Sequence, residues 1–273
     1  ELDGKKVGKL ELVSNTSKQN INIQKFKIVN DKNIFQADGE WVDWNKNSKS
    51  NINFSWKINN LGDTLNFLGY PNFVKDGEAD LSGQFRWPGN PLSFDKTKVD
   101  GSFNLDVRKG TIQKVEPGIG RLFGLVTLQS LPRRLSLDFR DLFGSGFVLD
   151  TMNASVRVNN GIMKTSNFRM NGPAAEVFMT GETNIIHETQ DLNVKVTPHI
   201  SDSLSIAALA GGPLVGAAAF IAQKILKDPL NKVLTSEYRI IGTWENPEEV
   251  NNSASDKIKT TIDNTKNLFN DKK

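Results

Sequence analysis

The sequence predicts a mainly β protein: a long, curled antiparallel sheet that forms a groove or trough, with a few short α-helices as caps. Three observations predict it. Apolar residues alternate with polar ones at a period of two along run after run. Turn-forming residues separate these runs at short intervals. Glycines recur inside the strand patterns, where a sheet bulges or bends sharply.

The elements follow in chain order. Strands are expected near 7–13, 21–29, 34–42 and 51–58. Leu61–Tyr70 reads as a short helix, because Leu61, Leu65 and Leu68 share one face. Glu78–Trp87 shows the sheet signature most clearly. Ala79, Leu81, Gly83, Phe85 and Trp87 point one way, and Glu78, Asp80, Ser82, Gln84 and Arg86 the other. Phe103, Leu105 and Val107 repeat it, as do Leu135, Leu137 and Phe139. Met152, Ala154, Val156 and Val158 continue the pattern, then Leu192, Val194 and Val196, and a last strand near 236–244. Asn59-Asn60, Asp76-Gly77, Lys109-Gly110, Asn159-Asn160-Gly161 and Asn171-Gly172-Pro173 supply the turns. Gly39, Gly83, Gly101 and Gly181 are the expected bulges or bends.

Two further segments break the alternation. Gly118–Gln129 starts after Pro117 and is apolar almost all round, as a helix buried against the sheet would be. Ser203–Gln223 carries no formal charge and is about as long as the roughly 20 residues a membrane-spanning helix needs. Gly211-Gly212-Pro213 divides it, however, since proline suits only the first turn of a helix. A helix from Pro213 to about Lys227 is too short to span. It presents an apolar stripe of Leu214, Ala218, Ile221 and Ile225, flanked by Leu226, with Phe220 isolated on the polar side. Two readings stay open: a helix closing the end of the dry face, or a hairpin over 203–227 dipping into a membrane interface. The groove domain is expected over 1–248, and 249–273 as a polar tail, helical or disordered.

Composition excludes several classes. The chain has 273 residues and no cysteine, so disulfides, thiolate zinc sites and a cysteine nucleophile are absent. Thirty-four Lys+Arg against 31 Asp+Glu give a net charge of +3, too balanced for nucleic-acid binding by bulk charge. The two histidines, His187 and His199, lack metal-ligand spacing. No nucleophile elbow, P-loop or zincin motif is present. Pro117-Gly118-Ile119-Gly120 opens a helix as a dinucleotide loop does, but Phe123 stands where the next glycine is required. Neither a catalytic residue, a metal site nor a cofactor is expected, and the chain reads as a non-enzyme. Glu1 opens the chain without a methionine or basic leader, which reads as a fragment or mature product of a longer protein.

Several stretches carry a family resemblance. They are LGDTLNFLGYPNFVKDGEADLSGQFRWPGNP, GSFNLDVRKGTI, EPGIGRLFGLVTLQSLPRRLSLDFRDLFGSGF, NGPAAEVFMTGE, QDLNVKVTP, GGPLVGAAAFIAQKILKDPL and YRIIGTWENP. In order and spacing they resemble the C-terminal part of AsmA-like proteins, most closely the YhdP type, relatives of the TamB-like lipid-transport bridges. The resemblance implies the periplasmic part of an inner-membrane-anchored protein, with the anchor outside this sequence. It implies that phospholipids pass through a hydrophobic β-groove toward the outer membrane, supporting its barrier. Leu105, Val107, Leu135, Leu137, Phe139, Val156, Val158 and Val194 would line the groove. Leu214, Phe220, Ile221, Ile225 and Leu226 would contact the outer membrane at the C-terminal end. Phospholipids and the outer membrane are the implied partners, with outer- or inner-membrane proteins as further ones and nucleic acid excluded. The alternative is a non-transport periplasmic scaffold or assembly factor that binds a protein through a sheet edge.

Overall fold

A computed structural model of the chain describes residues 6–43, 47–113, 146–199 and 235–250. The expectations for 118–129, 203–227 and the tail beyond 250 lie outside the described residues. Within them the strands are β1 (Lys9–Ser17), β2 (Asn20–Val29), β3 (Asn33–Val42) and β4 (Lys49–Ile58). Helix α1 (Leu61–Phe67) follows, then β5 (Val74–Lys75), β6 (Glu78–Pro88) and β7 (Asp100–Ile112). The remainder are β8 (Phe147–Asn159), β9 (Ile162–Asn171), β10 (Ala175–Asn184), β11 (Thr189–Pro198), β12 (Ser236–Thr243) and β13 (Pro247–Val250).

All thirteen described strands form one antiparallel sheet whose spatial order is the sequence order, with short β5 beside β7. The sheet is curled and unclosed, with β1 and β13 at its two edges. Such a meander follows from strands joined by tight turns, since neighbours in sequence can pair without a crossover. Asn160 and Gly161 show the local cause: both take positive φ, 45° and 76°, and join β8 to β9.

The glycine expectations divide. β2 bulges where Gln24 and Lys25 lie across from the stretch next to Gly39, the register passing from Ile23↔Gly39 to Phe26↔Ala37. β9 does the same near Gly181, from Met179↔Phe168 to Gly181↔Thr165. At Gly83 and Gly101 the register between β6 and β7 runs without a shift. These two glycines instead permit close strand approach, because a Cβ would meet Ser102 O at 2.2 Å and Gln84 O at 2.1 Å respectively. Lys109-Gly110, expected as a turn, lies within β7. Lys109 takes a φ of 52° where β7 exchanges one partner for another, β6 up to Arg108 and β5 from Thr111.

Helix α1 is shorter than the Leu61–Tyr70 expectation and ends at Phe67. Asn60 caps it by accepting a hydrogen bond from the Asp63 amide at 2.8 Å. Leu61 and Leu65 face the core. The expected domain end at 248 falls inside β13, a strand whose Pro-Glu-Glu-Val sequence carries no alternation signal.

The loops leave the two long rims of the sheet unequal. One rim carries the turn 30–32, α1 with its flanks, and the ends of β7, β11 and their successors. Among the fully described connections, the opposite rim carries turns of two to four residues except at 89–99, between β6 and β7.

Candidate functional site: an apolar groove

The alternation gives the sheet two chemically opposite faces. Register aligns Leu12, Phe26, Ala37, Phe54, Gly83, Phe103, Val156 and Thr165 in one row. A second row joins Leu10, Ile28, Phe35, Trp56, Leu81, Leu105 and Ala154. The rows place no charged residue on this face from β2 to β11. A carboxylate or ammonium group there would be stripped of water without a partner, which costs several kcal/mol.

Aromatic rings pave the first part of the face. Phe35 lies 6.5 Å from Phe54, and Phe54 stacks on Phe85 at 5.3 Å, both pairs near-parallel. Phe26 and Trp56 meet Phe35 edge-on at 6.1 Å. Gly83 makes this possible: it stands opposite Phe54 in the register and adds no side chain to the row.

Along the described strands charge lies on the other face, mostly in cross-strand pairs. Arg108 donates to Asp80 at 2.6 Å and to Asp106 at 3.2 Å, which raises its own pKa. Arg239 grips Asp191 with two hydrogen bonds, Nε to Oδ1 at 2.7 Å and an amino group to Oδ2 at 2.5 Å. The hydrogen bonds from Arg239 hold the Asp191 carboxyl below its usual range. Lys164 with Glu182, and Lys195 with Glu237, extend the ladder. A shallow concavity on this outer face, lined by Arg157, Lys164, Glu182, Asp191 and Arg239, is therefore polar and largely neutralised. It does not suit an apolar ligand.

The apolar face changes character along the sheet. From β2 to β7 its central residues are half-buried: Ile52, Phe54, Trp56, Leu81, Phe85, Phe103 and Leu105 all retain access to solvent. From β8 to β12 most are sealed, with Met170, Val177 and Ile240 fully buried. The residues expected to line the groove fall on both sides of this change. Leu105 and Val156 are half-buried, whereas Val107, Val158 and Val194 are almost completely buried. Leu135, Leu137 and Phe139, and all five expected membrane contacts, lie outside the described residues. Sequence reasoning missed Phe26, Phe35 and Phe54 as lining residues, although each sits at an alternating position of its strand. It also missed Phe94, which reaches the face from a loop.

Among the described residues no helix is long and apolar enough to cross a membrane. Nor do they contain a group of three or more His, Asp or Glu placed to hold a metal ion.

An open antiparallel sheet with one continuous apolar face and one paired, charged face defines a class: a β-groove suited to elongated apolar ligands. The profile of the family described as YhdP protein matches residues 1–249. The chain belongs to the YhdP family. The Intermembrane phospholipid transporter YhdP of Escherichia coli (strain K12) is 29% identical over 214 residues, covering 78% of this chain. The aligned region spans 17% of that protein's length. No solved structure matches the chain.

Proposed function

We propose that this chain is a segment of a periplasmic bridge that carries phospholipids between the inner and outer membranes, supporting the outer-membrane barrier. One observation carries the reading: the half-open, uncharged apolar strip from β2 to β7. The likeness to the Intermembrane phospholipid transporter YhdP of E. coli supports phospholipid as the cargo. Acyl chains lying along such a strip gain the transfer free energy of apolar burial, about 25 cal/mol per Å². Headgroups remain in water along the open side. Similar apolar rows succeed one another across strands, so a sliding chain exchanges one set of contacts for a near-equivalent set and meets no deep minimum. No bond is made or broken in this process.

The test is mass spectrometry of organic extracts from the chain purified without detergent. Phospholipid recovered in stoichiometric amount supports the reading. A folded chain free of lipid, which also takes none from phosphatidylethanolamine–phosphatidylglycerol vesicles, refutes it.

A further inference from the structure

Strand register and ring contacts run in different directions over the half-open strip. Along the register, four rows cross it between Leu81 and Trp87, and three of them are interrupted. The row of Phe54 has Ala37 on one side and Gly83 on the other. That of Phe85 holds Gly39, Ile52 and Gly101. The row nearest loop 89–99 holds Ile21, Trp41, Ser50 and Trp87, and the buried hydroxyl of Ser50 breaks its apolar run. Only the row of Phe35, Trp56, Leu81 and Leu105 is unbroken.

On the diagonal a second line is continuous. Phe35 on β3, Phe54 on β4 and Phe85 on β6 each stand one strand further on and one row nearer the rim of loop 89–99. Their rings follow one another at 6.5 and 5.3 Å, with interplanar angles of 18° and 17°. Phe94 takes the next step from the loop itself. Its ring lies 6.2 Å from Phe85 and 5.4 Å from Trp87, T-shaped to both. An apolar chain laid along this line meets ring carbon at every step, whereas along the interrupted rows it would cross gaps.

Packing accounts for part of the line. Phe85 leans over Gly101, where a Cβ would meet its ring at 2.7 Å, and so covers a stretch of strand without a side chain of its own. Packing does not account for Phe94, because loop 89–99 is fixed without it. The Gly89 amide donates to Ser48 O at 2.7 Å, Ser50 Oγ to Gly89 O at 2.9 Å, and Trp87 Nε1 to Asn90 O at 3.0 Å. At the far end Asp95 accepts from the Thr97 amide and hydroxyl, and the Asn160 amide donates to Val99 O at 3.0 Å. Between these anchors Phe94 stays 53% exposed, with its ring at the end of the diagonal.

Taking the phospholipid reading above as given, we infer that Phe35, Phe54, Phe85 and Phe94 form an acyl-chain site running obliquely to the strands, with Phe94 as its wall at the rim. These four side chains carry neither charge nor a hydrogen-bonding group, so the part of the lipid that fits them is an acyl chain. The unbroken row through Leu81 and Leu105 stays available to a second chain.

Photocrosslinking in the full chain, mixed with phosphatidylethanolamine–phosphatidylglycerol vesicles, tests the two ends of the line. p-Benzoylphenylalanine replaces Phe35, Phe94, Ile21 or Phe178, one at a time. Ile21 lies on the same face but off the line, and Phe178 on the outer face, where Arg169 lies over its ring. Phospholipid adducts are expected at Phe35 and Phe94, with background at Ile21 and Phe178. Labelling of Ile21 or Phe178 as strong as that of Phe94 would overturn the inference, since lipid would then show no preference for the line. Adducts at only one of Phe35 and Phe94 would overturn it too, and leave the phospholipid reading intact. No adduct at Phe35, Phe94 or Ile21 would remove that reading and the inference together. Because a benzophenone is bulkier than the ring it replaces, Phe94→Ser gives an independent measure. Its fold, read by circular dichroism, should be unchanged, while the phospholipid recovered with it should fall about threefold or more. An undiminished lipid load in folded Phe94→Ser would overturn the inference.

Discussion

Two residues on one strand and one face make the sharpest test of the half-open strip. Leu105 and Val107 both belong to the apolar face of β7, but Leu105 is half-buried and Val107 is 1% exposed. Aspartate at Leu105 forfeits about half the value of a fully buried leucine, about 1 kcal/mol, and keeps its carboxylate in reach of water. Aspartate at Val107 forfeits about 1.5–2 kcal/mol of burial and adds several more for an unpaired carboxylate in the core. That sum is a large part of the roughly 5–15 kcal/mol that holds a domain together. Amide hydrogen exchange across β7 reads the difference. Leu105→Asp should speed exchange about fivefold, whereas Val107→Asp should abolish protection. Phospholipid recovered with Leu105→Asp should fall roughly tenfold or more, since an acyl chain laid on a carboxylate strips its water. Equal loss of protection in both variants would refute the half-open strip and make this face an ordinary core. A folded Leu105→Asp chain that keeps its full lipid load would show that cargo does not lie over Leu105.

Two further outcomes follow from the geometry. Gly181→Ala places a Cβ 2.2 Å from Asp191 O at a backbone φ of 134°, so β10 and β11 must part; urea unfolding should show a loss of about 1–3 kcal/mol. Asp191 has a folded pKa below its unfolded value because Arg239 bonds the ionised form. Its contribution to stability is therefore complete above the unfolded pKa and lost as pH falls through the folded one. In Arg239→Met the Asp191 carboxyl should titrate nearer its ordinary value by carbon-13 NMR. The stability difference between the two proteins should vanish at low pH.

Most of the strands were legible in the sequence because a half-wetted sheet imposes its period of two on the residues themselves. Glu78–Trp87 shows this: each residue that alternation put on the dry side lies on the apolar face, with Leu81 and Gly83 in the two rows described above. β9 was harder to read. Its apolar set runs Met163, Thr165, Phe168, Met170, and the bulge between Thr165 and Phe168 shifts the phase by one. The change from half-buried to fully buried residues along the face was not legible, because alternation assigns a face and says nothing of what covers it. Val107 and Leu105 look equivalent in sequence. Phe94 was hidden for another reason. It stands in a loop of turn residues, WPGNPLSFDKTK, where no periodicity assigns a direction, and only the rings of Phe85 and Trp87 show which way it points.

The spatial order of the strands repeats the sequence order without a crossover. Each strand thus depends mainly on the two beside it, and the sheet behaves as a nearly one-dimensional array. Such an array can fray from an edge while distant hairpins persist. It can also be lengthened by inserting a hairpin without re-registering the others. The exposed β1 side has little to hold it beyond β2, and the strands from β8 to β11, most of whose apolar side chains are buried, form the anchor against which fraying stops. Unfolding should accordingly be graded along the sheet, with β1 and β2 exchanging their amides long before β10 and β11.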